Sequence, residues 1–270
     1  MIYMKKYILL CIIIISFINI SCFFRSQTVF QKNPDLLYEI KMDLSSSRWD
    51  IRIQGLKKLE DINEYWLFSE SEQLIMFASF DERALVRVQT IHMLTEFKTQ
   101  SAFHRIYTLA EDDDNDNIRW KAISALGNLK ERQSLPILLE AVKSKDWLIR
   151  EASYKSINKT ILPSDRDNFK DIIINGILDP VTAVKCAALY NIPFYHPDIY
   201  NTVKSLLLQE NIPENLLVAC FDAIKGYALD LPIRELLINY LTDKNPELRV
   251  RALRVLKEDN KYKRNRNLLK

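Results

Sequence analysis

The sequence predicts an all-α chain built as an α-solenoid of about seven stacked helix pairs, and three observations carry that expectation. A single short pattern recurs seven times: an aliphatic residue, usually Arg or Lys, two variable residues, a small residue, an apolar residue, two variable residues and another aliphatic. It reads Ile51-Arg52…Gly55-Leu56…Leu59, Val86-Arg87…Thr90-Ile91…Leu94, Ile118-Arg119…Ala122-Ile123…Leu126 and Ile149-Arg150…Ser153-Tyr154…Ile157. The last three copies are Val184-Lys185…Ala188-Leu189…Ile192, Leu216-Leu217…Cys220-Phe221…Ile224 and Leu248-Arg249…Ala252-Leu253…Leu256. Successive copies start 35, 32, 31, 35, 32 and 32 residues apart, a period of stacked two-helix units. Prolines and capping residues punctuate the chain at that same period.

Taking the basic residue of each copy as position zero, the residues at +3, +4 and +7 fall on one stripe of a helix, the spacing of a buried face. A small residue at +3 lets a neighbouring helix approach closely. A second amphipathic segment precedes each such helix, for example residues 135–142 before the fourth copy and 199–208 before the sixth. Pro34, Pro197 and Pro232 open three of these first helices, and Pro180, Pro213 and Pro246 open three of the second ones. Proline suits a first helical turn, where the N–H it lacks has no partner. Asp179 and Asn245 precede two of those prolines and offer side-chain oxygens as caps. Residues 34–257 are therefore expected to form one elongated array, because one helix pair cannot bury its own apolar face and relies on stacking with its neighbours.

The Asp-rich turn, the aliphatic-Arg pair and the small-apolar helix resemble HEAT repeats, in the short bacterial form first described in phycobilisome lyases. Asp116-Asn117-Ile118-Arg119-Trp120-Lys121-Ala122-Ile123-Ser124-Ala125-Leu126-Gly127 carries the resemblance best, followed by Asn245-Pro246-Glu247-Leu248-Arg249-Val250-Arg251-Ala252-Leu253. Copies four to six are degraded, and the sixth has Leu217 in place of the Arg. The resemblance implies that the Arg series is structural, pairing with turn carboxylates in a ladder between repeats.

The front of the chain reads as an export signal. Lys5 and Lys6 precede an apolar run over residues 7–20, and Ser21 stands before Cys22, the form of a secretory signal. Ile18-Asn19-Ile20-Ser21-Cys22 resembles a bacterial lipobox of the loose spirochaete type, with Asn19 where Leu normally stands. The expectation is a signal peptide at 1–21, a lipidated Cys22, and a linker to residue 33. The alternatives are an uncleaved anchor helix and plain soluble secretion. Counting Phe23 and Phe24, the run reaches 18 residues, at the lower edge of the roughly 17–25 that span a bilayer. All three place the repeats outside the cytoplasm, and the lipid-anchored form places them in the cell envelope, inner or outer membrane undecided. Of the remaining cysteines, Cys220 occupies a small core position, and Cys186 lies on a different helical face, which makes a disulfide between them improbable.

Composition argues against most enzyme classes. Four glycines in scattered positions assemble no phosphate-cradling loop. His92, His104 and His196 are the only histidines, each expected at the surface, and none has a second ligand at metal spacing. In Glu111-Asp112-Asp113-Asp114-Asn115-Asp116 the aspartates alternate as in a calcium loop, but Asn117 and Ile123 stand where Gly and Glu are required. The run is better read as an acidic turn that favours the next helix through its dipole. The expectation is no catalytic residue, no metal, no cofactor and no small-molecule substrate.

What remains is a recognition surface. In stacks of this type the second helices line the concave face, where +2 and +5 point away from the core stripe. Those positions hold Lys57, His92, Lys121, Lys155, Tyr190, Arg251 and Arg254, and across both series five cations face one carboxylate, Asp222. The bland reading is ordinary surface charge; the sharper one is a groove for an acidic peptide or domain of a protein partner. Trp49, Trp120 and Trp147 are expected to pack between repeats. The formal charge of +3 is concentrated at the C-terminus, where residues 249–270 hold nine cations and two anions. Residues 258–270 read as a basic tail. The leading functional expectation is a membrane-anchored scaffold that binds a protein. The alternatives are a lyase-like or accessory protein acting on a cofactor-bearing partner, by fold analogy, and nucleic-acid binding through the groove and tail, a partner that an exported chain rarely meets.

Overall fold

The computed structural model describes the backbone of residues 34–63 and 69–268, and side chains over 35–62 and 70–259. The signal segment, Cys22 and the linker to residue 33 lie outside the described residues. Fourteen α-helices and no strand occur among the described residues, arranged as seven successive pairs. They are α1 (Pro34–Leu44) with α2 (Trp49–Asn63), α3 (Ser69–Ala78) with α4 (Ala84–Phe97), α5 (Gln100–Asp112) with α6 (Asp116–Leu129) and α7 (Leu135–Ala141) with α8 (Trp147–Thr160). The series continues as α9 (Arg166–Ile177) with α10 (Thr182–Leu189), α11 (Pro197–Leu207) with α12 (Glu214–Ile224), and α13 (Leu231–Asn239) with α14 (Pro246–Leu268). The chain divides into two compact units, one ending at Arg105 and one beginning at Ile106, so the boundary falls inside α5. None of the described helices is long and apolar enough to cross a membrane.

The repeat pattern maps onto the core as its spacing requires. Val86, Thr90, Ile91 and Leu94 of α4 are buried, as are Ile118, Ala122, Ile123 and Leu126 of α6 and Ile149, Ser153, Tyr154 and Ile157 of α8. Leu216, Cys220, Phe221 and Ile224 do the same in α12. Each such aliphatic side chain contributes about 1.5–3 kcal/mol by leaving water. The small positions permit backbone-level contact: a Cβ on Gly127 of α6 would lie 2.5 Å from Cβ and 2.6 Å from Cα of Ser156 on α8. Ser156 in turn donates its hydroxyl to the Ile123 carbonyl at 3.0 Å.

The repeat arginines hold the turns. Nη1 of Arg52, Arg87, Arg150 and Arg249 each donates to the carbonyls six and five residues earlier, at 2.8–3.1 Å. Arg52 and Arg150 also reach forward into the next repeat: Arg52 forks onto Asp81, and Arg150 onto Asp179 at 2.8 and 3.1 Å. Both aspartates are nearly enclosed. Each also accepts the N–H two residues on, from Arg83 and Val181, and so shapes the following turn.

Several expectations are corrected. Trp49 and Trp147 are 42% exposed rather than packed between repeats, and only Trp120 is half-buried. The +2 positions of the fourth and fifth copies, Ala152 and Ala187, belong to the series expected to point outward but are buried, because neighbouring helices cover more than the +3/+4/+7 stripe. His196 is no plain surface residue: its Nδ1 accepts the Asp198 N–H and caps α11. The segment after residue 257 continues α14, which runs on to Leu268.

The fifth pair departs most from the others. Its second helix, α10, stops at Leu189 after eight residues, so Ile192, expected at the +7 core position, falls in a loop. Asn191 turns the chain with φ 50°, and Pro193 lacks the N–H that a further helical turn needs. Asn158 of α8 takes over the unsatisfied end: Nδ2 donates to the carbonyls of Tyr190 at 2.8 Å and Ala188 at 3.0 Å. Phe194 folds back into the core.

Candidate partner-binding site

Where α10 breaks off, a pocket of about 540 Å³ opens within the second unit between the 191–196 loop, α12 and α14. Tyr190 and Tyr195 line it on the loop side, Asp222 and Lys225 on the α12 side, and Arg251 and Arg254 from α14. Three residues chosen from sequence position alone, Tyr190, Arg251 and Arg254, are thus brought together in one cavity.

The loop wall is ordered by aromatic packing. Tyr195 meets Tyr227 edge-on with centroids 5.0 Å apart, and Tyr227 stacks on Tyr200 at 5.2 Å. The Tyr227 hydroxyl accepts the His196 N–H at 2.9 Å, which ties the loop to the chain following α12. Gly226 has φ 89°, and a Cβ there would lie 2.6 Å from the Tyr195 hydroxyl oxygen, so the close approach of the ring requires glycine. Burial pushes the Tyr200 and Tyr227 phenols above their ordinary range. Tyr190 and Tyr195 themselves are 49% and 63% exposed and offer aromatic surface to the cavity.

The charges have different freedom. Arg251 is half-buried, bound to Asp222 and, at 3.2 Å, to Glu247; its hydrogen bond to Asp222 raises its pKa further. Arg254 and Lys225 are exposed, and neither has an ion pair among the described residues. Two cations therefore remain to meet an incoming anion. Cys186 also lines the pocket; burial pushes its thiol up, against the pull of the Lys155 ammonium. It stays a neutral thiol and, like Cys220, is unbridged.

The other residues expected on this surface do not line this pocket. Lys155 is paired with Glu151. Lys121 is exposed on α6, with Nζ 5.1 Å over the Trp120 ring. Lys57 and His92 are exposed on α2 and α4 of the first unit. Within the second unit, Lys155 and Arg251 are paired with carboxylates, and Arg251 and Arg254 share the pocket. Sequence spacing missed Tyr195 and Lys225; Pro193, three residues past Tyr190, was the available sign that the helix ends and a loop takes its place.

Among the described residues no group of three or more His, Cys, Asp or Glu could hold a metal ion. The acidic run shapes its turn instead: Asp113 accepts the Asn115 N–H at 3.0 Å and Asn115 caps α6 through the Asn117 N–H at 3.0 Å.

Comparison with known proteins supports the repeat assignment. The HEAT repeats family matches residues 71–158 and, overlapping, 104–192. Over residues 71–192 the chain is similar to HEAT repeats. The solved structure of YibA from Escherichia coli aligns with 77% of this chain and 76% of its own, at a TM-score of 0.56 and 18% identity. The CpcE–CpcF complex of phycocyanin lyase from Nostoc sp. PCC7120 aligns over 68% of this chain and 75% of that one, at a TM-score of 0.51 and 20% identity. At such identities the likeness establishes the fold alone. No curated protein matches the chain. Beyond the matched segment the described residues likewise form helix pairs, with the same Arg-to-carbonyl turn contacts at Arg52 and Arg249.

Proposed function

We propose that this HEAT-repeat chain is a non-catalytic scaffold that binds another protein through the pocket at the α10 break, and that it is held at the cell envelope by lipid on Cys22. The observation that carries the binding half is the convergence of Tyr190, Arg251 and Arg254, with Lys225 and Tyr195, around a single cavity. Exposed aromatic rings supply contact area at low entropic cost, and tyrosine and arginine are enriched at interface hot spots. Two cations without ion pairs favour an acidic segment, both by attraction and by steering its approach. For an enzyme, the same cavity offers little: no histidine lines it, and its one thiol is held neutral.

A photo-crosslinking residue at position 190, compared with one at exposed Asn128 of α6, tests this reading in cells. Specific adducts at 190 that disappear with Arg254→Glu support it; equal adducts at both positions, unaffected by the charge reversal, overturn it. The anchoring half rests on the sequence of residues 1–22 and is tested by mass spectrometry of the mature N-terminus. A lipid-modified Cys22 that is lost in Cys22→Ala supports it, and an intact Met1 removes it.

The resemblance in fold to the phycocyanin lyase complex keeps a second reading, an accessory role on a cofactor-bearing partner. Saturable turnover lost on changing His92 or Tyr190 would favour it. Steeply salt-dependent DNA binding would favour a nucleic-acid partner instead.

A further inference from the structure

The arginine ladder has a gap, and the gap is a pocket. In the rungs of Arg52 and Arg150 the acceptor stands six residues before the next repeat's basic residue: Asp81 before Arg87 and Asp179 before Lys185. Each carboxylate takes both Nε and Nη2 of the preceding repeat's arginine. For Arg119 of α6 the corresponding position is Ser144, six before Arg150. Arg119 keeps its turn contact, Nη1 to the Asp113 carbonyl at 2.8 Å, and turns Nη2 onto Asp116 of its own helix. Its Nε has no acceptor among the described residues.

At that place lies a pocket of about 350 Å³, contained within the second unit. Arg119 and Ser144 line it together with two carboxylates, Glu111 and Glu140, and an apolar wall that includes Ile123 and Ile137. Glu111 is exposed and forms no ion pair among the described residues; its charge acts on the Tyr107 phenol, which shares the pocket and is raised first by burial and then by Glu111. Among the described residues Glu140 pairs with Lys143, both side chains largely exposed, a contact worth about 0–1 kcal/mol that a ligand can displace. A simple anion would answer Arg119 but face Glu111. A simple cation would do the reverse. A ligand carrying both charges answers each, and its apolar part covers the isoleucine wall.

We propose that the gap between Arg119 and Ser144 binds a small amphoteric ligand, a carboxylate and an ammonium on an apolar body, of which a free aliphatic amino acid is the simplest case. Its carboxylate occupies the place that Asp81 and Asp179 fill in the intact rungs, forked onto Nε and Nη2 of Arg119. Its ammonium is met by Glu111 and Glu140. The site is separate from the pocket at the α10 break, and neither reading depends on the other.

The intact rungs supply the decisive variant. Ser144→Asp places a carboxylate in the gap, and Asp81 and Asp179 show that aspartate fits this turn while also accepting the N–H two residues on. Calorimetric titration and thermal shift of the full chain use L-leucine, N-acetyl-leucine and leucine amide as probes. L-leucine is expected to bind saturably and raise the unfolding midpoint, with each blocked form at least tenfold weaker. Ser144→Asp is expected to raise the ligand-free midpoint and to abolish leucine binding. Glu111→Gln, an exposed change that leaves the core untouched, is expected to weaken leucine while narrowing its advantage over N-acetyl-leucine. No saturable leucine binding overturns the proposal. So does N-acetyl-leucine or leucine amide binding as tightly as leucine, which removes one of the two charges, or unchanged binding in both variants, which places the site elsewhere.

Discussion

Asp81 joins Arg52 to the start of the next helix: Oδ2 accepts Arg52 Nε at 2.5 Å, while Oδ1 accepts both Arg52 Nη2 at 2.9 Å and the Arg83 N–H at 2.8 Å. Arg52 meanwhile holds the carbonyls of Ser46 and Ser47 with Nη1. One ion pair therefore fastens the turns of two successive repeats, and both side chains are less than a tenth exposed.

Removing one partner from such a pair leaves the other charged and enclosed, which costs about 3–5 kcal/mol. Asp81→Ala is expected to destabilise the first unit by an amount in that range, read from urea unfolding. Arg52→Lys keeps the charge but loses the fork and the two carbonyl contacts, so it should recover only part of the loss. A near-neutral Asp81→Ala would mean that the ladder contributes nothing to stability.

The second rung adds a pH dependence. Burial acts to raise the Asp179 carboxyl, but hydrogen bonds from Arg150 and the Val181 N–H overcome it, and the group sits below the ordinary carboxylate range. Asp165, held by Arg132, and Asp198, held by Lys170, are lowered as well. A carboxylate with a depressed folded pKa contributes stability above its unfolded value, about 3.9 for Asp, and loses it as pH falls through the folded value. Unfolding free energy should therefore stay level near neutral pH and decline as pH drops below about 4. Asp179→Asn should lower stability at pH 7 and flatten part of that acid decline; an unchanged acid limb would assign the decline to other groups.

Asn158 tests whether the α10 break is a built feature. Its Nδ2 satisfies the carbonyls of Ala188 and Tyr190 in a buried setting, and leaving such acceptors unmet costs about 1–3 kcal/mol. Asn158→Leu is expected to destabilise the second unit by that amount and to speed amide exchange across residues 190–196. Faster exchange elsewhere, with this loop still protected, would separate Asn158 from the pocket wall.

The helix pairs and their buried stripe were legible in the sequence because a 3.6-residue period and a 31–35-residue repeat are both written in residue type. The arginine roles were legible through resemblance, since Arg52 and Arg150 do pair with turn carboxylates. The pocket at α10 was only half legible. Tyr190, Arg251 and Arg254 stood out by repeat position, but their meeting depends on an early helix end that is capped by Asn158 from another repeat, a long-range contact that no local pattern encodes. Trp49 and Trp147 were misjudged because a hydrophobic residue does not announce whether it is covered; each sits in the first turn of its helix, outside the stripe. The gap at Ser144 was invisible until the rungs on either side showed which turn position receives the arginine.

Gly127 offers the sharpest test of the close helix approach. A Cβ there would stand 2.3 Å from Oγ, 2.5 Å from Cβ and 2.6 Å from Cα of Ser156, all closer than real contacts permit. Gly127→Ala must therefore push α6 from α8, and overpacking of this kind costs about 1–3 kcal/mol. The double variant Gly127→Ala with Ser156→Gly removes the Oγ and Cβ clashes but leaves the backbone Cα in place, and it also loses the hydrogen bond from Ser156 to the Ile123 carbonyl. Rescue should therefore be incomplete, with the double variant remaining less stable than wild type in thermal unfolding. Full rescue would mean that only the serine side chain, and not the helix backbone, opposes a larger residue at position 127.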